Sequence, residues 1–506
     1  MRLIYFILFF SPLSVFSQLE TAKIYSSNMV LQRDAPIPVW GKAVPGSKIE
    51  IRLGTAIKIT VAAKDSTWKV YLPKQPANHQ PQSLLISSGD TAVQYNNILI
   101  GDIWLCIGQS NMEWPIIKEM HYKEEIKNSS QPLLRFYNPT YAGKNVFGTK
   151  FTDSVTAMLN ENDFYKGQWQ HCDSNSFKTM SAVAYYFGKQ IANDVNVPVG
   201  LINLSIGGAP LETFIDKVVL KKSKQFSGKM SSDWLVNETL PVWVKERGNQ
   251  NVGKLQNVPA DENGNNHAFK PGFAYSAGIE KLLPLPVKGI LCYQGESNAQ
   301  EIERVNEYAA LSKLMIEDYR KKCLPTGQAG KQPQLPFYFV QLSSIDTVKY
   351  KGHLWPQFRD EQRKMLQLIP NSGMAVCSDI GAKDDVHPTN KKDVGERLAR
   401  WALNKTYNQN VVPSGPLPLN AKYLNGKVII VFQYMSKGLK TSTGEKLKGF
   451  SLDGINEVEA VIGDSGIIIY TAKKPEFVYY AWKSFSNGNL VNSENLPAST
   501  FKIKVR

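Results

Sequence analysis

The chain has 506 residues, of which 42% are hydrophobic, a proportion that is ordinary for a folded protein and speaks against long disorder. At about 100–200 residues per domain, two to four domains are expected. The formal net charge of +15 favours acidic partners, but the lysines are scattered, without a long basic run or a nucleic-acid motif. We therefore predict no nucleic-acid partner, while acidic glycans stay open as ligands.

Residues 1–17 have the pattern of a signal peptide. Arg2 supplies the positive start, residues 3–16 are almost wholly apolar, and small residues precede a cut before Gln18. A membrane anchor is the alternative, but the apolar run is short for a bilayer and contains Pro12. Because no later stretch approaches ~18 apolar residues, we expect a secreted or periplasmic protein whose mature form has no membrane span.

The five cysteines are too few, and odd in number, for a disulfide framework. Cys106, Cys292 and Cys377 each lie in an apolar run, which predicts buried strand residues that behave as small hydrophobic side chains. No pair of cysteines has the spacing of metal ligands, so no metal site is predicted.

Three domains are predicted after the signal peptide. Residues 18–97 alternate short apolar segments with turns, which indicates a small β-domain of the sandwich kind. Residues 98–412 form a second domain, interrupted at about 211–282 by a polar, irregular insertion whose structure the sequence leaves open. The strand pattern returns at 413–506, which predicts a second β-domain of the sandwich kind.

In the central domain, apolar runs of the buried-strand type alternate with helical patterns. Strands are predicted at 98–107, 199–204, 287–293, 337–342 and 373–377, and helices at 181–193, 308–321, 355–368 and 391–403. Alternation of this kind favours an α/β domain with a parallel sheet that is covered by helices.

Four of the predicted strands are followed by segments with chemically useful side chains. The segments are GQSNM at 108–112, LSIGG at 204–208, QGESN at 294–298 and DDVHP at 384–388. Because ligands bind outside the carboxyl ends of the strands in a parallel sheet, we expect these segments to share a site. Ser110 alone could equally be the N-cap of a helix. The other three segments favour catalysis over capping.

His387 is the strongest candidate for a base. Of the six histidines, it is the one just beyond a core strand with an acid three residues before it. A serine hydroxyl is a weak nucleophile until a base takes its proton, and histidine suits that task near neutral pH. A carboxylate must orient the imidazole, and the oxyanion needs fixed donors. The sequence therefore predicts Ser110 as nucleophile and His387 as base.

The sequence resembles the SGNH hydrolases, and more closely the sialate O-acetylesterase family of carbohydrate esterases. The resemblance runs from SNMVLQR at 27–33 to near the C-terminus. Four blocks carry it in order: GQSNMEWP at 108–115, IGGAPLE at 206–212, YQGESN at 293–298, and DDVHP with VGERLA at 384–388 and 394–399. For the fold, the resemblance implies a flavodoxin-like SGNH hydrolase domain between the two β-domains.

The resemblance also implies roles for individual residues. Ser110 is the expected nucleophile, His387 the base and Asp384 its orienting acid. The Asp-x-x-His spacing favours Asp384, although Asp385 is a rival.

The oxyanion hole that the resemblance implies consists of the N–H groups of Ser110 and Gly208 and the side chain of Gln294. Asn298 is the second choice for the side-chain donor. No metal or organic cofactor is implied.

For function, the resemblance implies a secreted carbohydrate O-acetylesterase that acts through a serine acetyl-enzyme. Sialic acid is the substrate after which the family is named, and acetylated plant or algal polysaccharide is the alternative. A protein of a different class, which binds carbohydrate through its β-domains without catalysis, is disfavoured by the complete Ser/Asp/His set. The sequence leaves the acetylated position and the oligomeric state open.

Overall fold

The computed structural model describes residues 19–323 and 335–506. The predicted signal peptide therefore lies outside the described residues. Within the two described ranges, no helix is both long and apolar enough to cross a bilayer.

The N-terminal part of the chain is built from β-strands in two layers. The strands are β1 (Glu20–Thr21), β2 (Val30–Gln32), β3 (Ile37–Lys42), β4 (Lys48–Leu53), β5 (Ala56–Val61), β6 (Thr67–Leu72), β7 (Asn78–Ser88) and β8 (Thr91–Gly108). One layer has the order β1-β3-β6, and the other contains β2, β4, β5, β7 and the first part of β8. Alternating burial along β4 fits a strand with one face in the core.

The middle of the chain forms an α/β structure around a mixed central sheet. Its strands are β9 (Gln131–Tyr137), β10 (Thr140–Tyr141), β11 (Tyr165–Lys166), β12 (Trp169–Cys172), β13 (Val199–Asn203), β14 (Ala260–Asp261), β15 (Gly264–Asn265), β16 (Gly289–Tyr293), β17 (Phe337–Gln341) and β18 (Ser372–Val376). The central order is β12-β9-β13-β8-β16-β17-β18. All neighbours in it are parallel except β12, which runs antiparallel at one edge.

Helices connect and cover these strands. They are α1 (Ser110–Glu113), α2 (Tyr122–Glu125), α3 (Asp153–Ala157), α4 (Ser176–Thr179), α5 (Ala182–Val195), α6 (Lys217–Lys222), α7 (Val242–Asn251), α8 (Glu280–Leu282), α9 (Ile302–Lys322), α10 (Trp355–Leu368) and α11 (Lys392–Lys405). The four predicted helices correspond to α5, α9, α10 and α11. The expectation of an α/β domain with helical connections is therefore confirmed, and its sheet is mixed where a parallel one was expected.

Two strands of the central sheet, β9 and β12, were not predicted from the sequence. Only the second half of β9 is buried, and β12 has four residues with its two middle residues exposed. Neither strand therefore presents the long apolar run by which a buried strand is recognised.

The insertion at 211–282 has defined structure. It contains α6, α7, α8, the β14-β15 hairpin and a π-helical turn at Tyr275–Ile279. Trp234 is fully buried within it, and its indole N–H donates to the Asn265 carbonyl at 2.8 Å. The sequence did not predict these short elements, because none of them shows a sustained hydrophobic period.

The C-terminal part of the chain is again made of β-strands. They are β19 (Leu417–Leu424), β20 (Lys427–Gln433), β21 (Leu439–Thr441), β22 (Phe450–Ser451), β23 (Val461–Gly463), β24 (Gly466–Tyr470), β25 (Phe477–Tyr480), β26 (Leu490–Asn492) and β27 (Phe501–Lys504). The sheets β19-β20-β24-β23 and β22-β25-β27 face each other. Phe432 and Phe501 meet between them, with ring centroids 5.9 Å apart.

The β-regions relate to the central domain in different ways. β8 runs without interruption from its hairpin with β7 into the central sheet, so the predicted boundary between residues 97 and 98 falls inside one strand. One hydrophobic core extends from Leu19 to Leu417, whereas the strands after Ala421 have a core of their own. The N-terminal strands therefore share the core of the central domain.

The cysteines are free thiols, and Cys106, Cys292 and Cys377 are buried in central strands or directly after one, as predicted. Burial raises the pKa of the Cys377 thiol to about 12. Since the thiolate is the reactive form, buried thiols of this kind react slowly.

We therefore expect at most the half-buried Cys323 to be labelled by a thiol reagent in the native protein. All five cysteines should react once the protein is unfolded. Titration with a chromogenic disulfide, with and without denaturant, measures both numbers. Fast native labelling at Cys106, Cys292 and Cys377 would contradict their places in the sheet.

Candidate active site

Ser110 and His387 meet at the carboxyl end of the central sheet. Ser110 begins α1 directly after β8, and His387 lies in the loop between β18 and α11. His387 Nε2 is 2.8 Å from Ser110 Oγ, although the two residues are 277 positions apart. Both side chains are half-buried, so the pair is held in place and still reachable from solvent.

Gly108 is required by the close packing of two strands. It is paired with Tyr293 of β16, and its φ is +136°. A Cβ atom at this position would lie 2.1 Å from the Tyr293 carbonyl oxygen, so a side chain has no room. The glycine therefore lets β8 end next to β16 and turn sharply into the helix that carries Ser110.

Asn111 joins three loops beneath the Ser110–His387 pair. Its amide nitrogen donates to Glu296 Oε1 and, at 2.9 Å, to the carbonyl of Val386. Its amide oxygen accepts from Lys391 Nζ. Since Val386 precedes His387 and Asn111 follows Ser110, one buried amide links the nucleophile segment to the histidine loop.

Glu296 and Lys391 are opposite charges on the two sides of that amide. Both are buried, and burial opposes the charged form of each. The pKa of Glu296 is raised to about 7 and that of Lys391 is lowered to about 7, in each case with the neighbouring charge acting against the shift. The two groups therefore stabilise each other's charge on either side of Asn111.

Trp114 covers His387 on one face. The rings are stacked with centroids 5.1 Å apart and an angle of 21°. Lys118 and Lys391 each place a Nζ 5.6 Å from the Trp114 ring. Burial lowers the pKa of His387, the Asp385 carboxylate opposes that shift, and the charges of Lys391 and Lys118 lower the pKa further.

The acid next to His387 is Asp385. Its Oδ1 lies 3.5 Å from His387 Nδ1 and accepts the backbone N–H of His387 at 2.9 Å. Asp384 is exposed, and no hydrogen bond or ion pair joins it to His387 in the described loop. The Asp-x-x-His spacing predicts Asp384 in this place. The structure instead places Asp385 against the ring, because its carboxylate folds back to accept the His387 N–H.

The backbone donors of the expected oxyanion hole are free. Neither the Ser110 N–H nor the Gly208 N–H donates to an acceptor among the described residues. Gly208 has a φ of +78° and follows β13. The loop that carries it is fixed by Tyr141, whose hydroxyl accepts from the Gly207 N–H at 3.1 Å and lies 3.1 Å from Glu113 Oε2.

The side chain of Gln294, the expected third oxyanion donor, is hydrogen-bonded to other side chains. Its amide nitrogen donates to Asn298 Oδ1 at 2.8 Å and to Gln109 Oε1 at 3.2 Å, and its oxygen accepts from the Tyr308 hydroxyl at 2.7 Å. The amide has two hydrogens, and both have protein partners in this structure. These contacts link the segments around Ser110.

Asn298, the second choice, is fully buried. Its nitrogen donates to Glu212 Oε2 at 2.9 Å, and its oxygen accepts the Leu211 N–H at 3.1 Å. Glu212 is paired with Lys229 at 2.8 Å. These contacts fix the end of the glycine loop to the segment after β16.

Several residues at the site were not singled out from the sequence. Trp114 lies within the GQSNMEWP block, so its place in that motif could have indicated that it belongs to the site. Lys391, and Trp243, whose indole N–H lies 3.2 Å from Ser297 Oγ, had no such signal, because their contacts at the site are with segments far away along the chain. Within the described ranges, no group of three or more His, Cys, Asp or Glu residues is arranged to hold a metal ion.

Comparisons with known proteins agree with the resemblance seen in the sequence. The family model described as carbohydrate esterase, sialic acid-specific acetylesterase matches residues 270–404. The sialate O-acetylesterase of Pongo abelii is 28% identical over 437 residues, covering 82% of this chain and 76% of that protein. The human sialate O-acetylesterase is 27% identical with the same coverage.

A solved structure is similar over almost the whole chain. The crystal structure of a carbohydrate acetylesterase from Xanthomonas citri superposes with a TM-score of 0.77 at 27% identity, covering 96% of this chain and 99% of that one. The resemblance to the sialate O-acetylesterase family is therefore confirmed.

The two aspartates can be separated by their effects on His387. We expect Asp385→Asn to lower the pKa of His387 further, because a carboxylate favours the protonated ring that it faces. Asp384→Asn is the matched control and should leave that pKa close to its original value. NMR titration of the His387 ring protons measures both. A larger fall for Asp384→Asn would give the orienting role to Asp384.

Proposed function

We propose that this chain is a secreted carbohydrate O-acetylesterase of the flavodoxin-like SGNH type, with O-acetylated sialic acid as its substrate. The observation that carries the proposal is the 2.8 Å contact between Ser110 Oγ and His387 Nε2, next to two free backbone N–H groups. The similarity to sialate O-acetylesterases and to a carbohydrate acetylesterase of known structure supports it.

The order of the central strands supports the flavodoxin-like part of the proposal. Of the six parallel strands, five follow one another in space as β13-β8-β16-β17-β18, and β9 is added outside β13. Numbered along the chain among themselves, these five have the order 2-1-3-4-5, which is that of flavodoxin-like sheets. Ser110 follows β8, at the point between β8 and β16 where the order reverses and ligands bind, and Gly208 follows the neighbouring β13.

The reaction begins with attack by Ser110 Oγ on the acetyl carbonyl carbon. His387 Nε2 takes the hydroxyl proton as the new C–O bond forms, because an unassisted serine hydroxyl is a poor nucleophile. Asp385 faces the other ring nitrogen and stabilises the imidazolium. The proton then passes from His387 to the sugar oxygen, and the sugar leaves as an alcohol with the acetyl group on Ser110.

The oxyanion of the tetrahedral intermediate is stabilised by the N–H groups of Ser110 and Gly208. Backbone donors that have no protein acceptor need no rearrangement when charge develops on the carbonyl oxygen. Gln294 and Gln109 hold the segments that carry these two N–H groups in place. A water molecule, deprotonated by His387, then attacks the acetyl-enzyme and releases acetate. Each step uses groups of this chain, and the proposal includes no cofactor.

Acetylated plant or algal polysaccharide is the alternative substrate. Acetate release from a panel of acetylated glycans distinguishes the two, provided that the panel contains 9-O-acetyl sialic acid, acetylated xylan and an acetylated algal polysaccharide. Preferential release from the sialic acid is the outcome that the proposal requires.

Removal of the nucleophile should abolish hydrolysis without unfolding the protein. Ser110→Ala deletes one oxygen from a half-buried turn, so the melting temperature should change little. Turnover of a chromogenic acetyl ester should fall by about 10⁴-fold or more, and His387→Ala should be comparably severe. The double variant should be little worse than either single one, because the two residues act in one step. A folded Ser110→Ala variant with near-normal turnover would exclude a serine esterase.

The acidic limit of activity should lie below the ordinary histidine value of about 6.5. His387 must be neutral to accept a proton, and its lowered pKa keeps it neutral into mildly acidic solution. Lys118→Gln removes a positive charge that disfavours the imidazolium and so raises the pKa of His387. The acidic limb of the pH profile of kcat/KM should therefore move to higher pH.

The matched control is Lys127→Gln, which removes a charge from an exposed residue that does not act on His387. Profiles of kcat/KM against pH for the three proteins measure the effect. An acidic limb above the ordinary value in the original protein is the result that contradicts this assignment.

A further inference from the structure

Arg247, on α7 of the insertion, is a cation without an anion. Among the described residues, no carboxylate lies within ion-pair distance of its guanidinium, and its buried Nε and Nη1 make no hydrogen bond. Arg33 and Arg397, in contrast, each make paired hydrogen bonds to an aspartate. Since buried donors are nearly always satisfied in native proteins, an unsatisfied guanidinium requires an explanation.

Two aromatic rings hold this guanidinium in place. Its central carbon lies 4.8 Å from the centroid of the Trp243 ring and 5.3 Å from that of the Phe147 ring. Cation–π contacts of this kind fix an arginine side chain. Because Nε and Nη1 are buried, the Nη2 edge, which makes no hydrogen bond to the described residues, is the part left for a ligand. The rings therefore orient Arg247 and offer no acceptor for its hydrogens.

Trp243 connects Arg247 to the catalytic glycine loop. Its indole N–H lies 3.2 Å from Ser297 Oγ and 3.4 Å from the Gly208 carbonyl oxygen. A Cβ atom on Gly208 would lie 3.1 Å from Trp243 Cζ2. Arg247 is thus separated from the proposed oxyanion glycine by a single aromatic side chain.

The surface next to Arg247 is open. Phe147 is 58% exposed, in a loop where an apolar ring of this size has little protein to pack on. A sugar ring has apolar C–H faces and polar edges, so an exposed aromatic ring beside an arginine suits a sugar that carries a negative charge. The planar guanidinium matches a carboxylate in shape as well as in charge.

The lysines near the site are accounted for in other ways. Lys144 is paired with Glu113 at 2.8 Å, and Lys391 is buried against Asn111. Lys118 is exposed to solvent on the opposite side, next to Trp114 and His387. Arg247 is therefore the cation on the glycine-loop side whose buried donors lack acceptors.

We propose that Arg247 binds a carboxylate of the acetylated sugar and so sets a preference for acidic over neutral sugar esters. This inference rests on the proposed esterase function and adds to it the residue that recognises the negative charge of the substrate. Trp243 and Phe147 position the guanidinium for that contact.

The test compares two forms of one substrate with the original protein and Arg247→Gln. The substrates are 9-O-acetyl-N-acetylneuraminic acid and its methyl ester, which has the same shape without the negative charge. The original protein should favour the acid. In Arg247→Gln, kcat/KM for the acid should fall by about 10-fold or more, through KM, whereas the value for the methyl ester stays within about twofold.

Lys245→Gln is the matched control, because it removes the same charge from the same helix. It should keep the preference for the acid, since a carboxylate contact is local and long-range attraction is screened by salt. Equal losses in Lys245→Gln and Arg247→Gln would assign the preference to the general field of the protein. Equal losses on acid and methyl ester in Arg247→Gln would assign Arg247 a purely structural role. Either result overturns the inference.

Hydrolysis of 4-nitrophenyl acetate by the original protein separates this inference from the proposed function. If the protein hydrolyses that neutral ester and Arg247→Gln does not change the preference between acid and methyl ester, the carboxylate site is wrong and the esterase stands. If the original protein hydrolyses no acetyl ester, the proposed function falls, and the inference falls with it.

Discussion

The buried amide of Asn111 is the contact on which the catalytic geometry depends. It bonds to Glu296, to the Val386 carbonyl and to Lys391, and so ties together the loops after β8, β16 and β18. A neutral amide can accept on one side and donate on the other, which lets it stand between a carboxylate and an ammonium group. This junction links the segments that carry Ser110 and His387, whose Oγ and Nε2 atoms are 2.8 Å apart.

Backbone packing imposes the second constraint. The site requires β8 and β16 to end side by side, and Gly108 makes this possible because it meets the Tyr293 carbonyl. Gly295, directly after β16, allows a second close approach, to α10, where a Cβ atom would lie 2.5 Å from the Phe358 ring. The parallel arrangement then brings the carboxyl ends of four strands to one edge, where residues hundreds of positions apart can share one reaction.

The charges of the candidate site are balanced in its buried part and unbalanced near the surface. In the buried part, Glu296 and Lys391 are opposite in sign, and each offsets part of the desolvation cost of the other. Nearer the surface, Arg247 has aromatic neighbours and no carboxylate within ion-pair distance among the described residues. The balanced charges lie beneath the Ser110–His387 pair, whereas the unpaired Arg247 is the group of the proposed contact with a charged substrate.

The sequence by itself determined the strand ends, the four long helices and the pair Ser110 and His387. The signals for these features are local, because apolar periods and turn residues occupy consecutive positions of the chain. The sequence did not determine β9, of which only the second half is buried, or β12, which has four residues and two of them exposed, because neither strand shows a long apolar run. Only the tertiary structure placed Asp385, rather than Asp384, against His387, gave Gln294 its hydrogen-bond partners and left Arg247 without an anion among the described residues. Each of these depends on which side chains meet across long separations, such as the 280 positions between Asn111 and Lys391, and on which of them are buried.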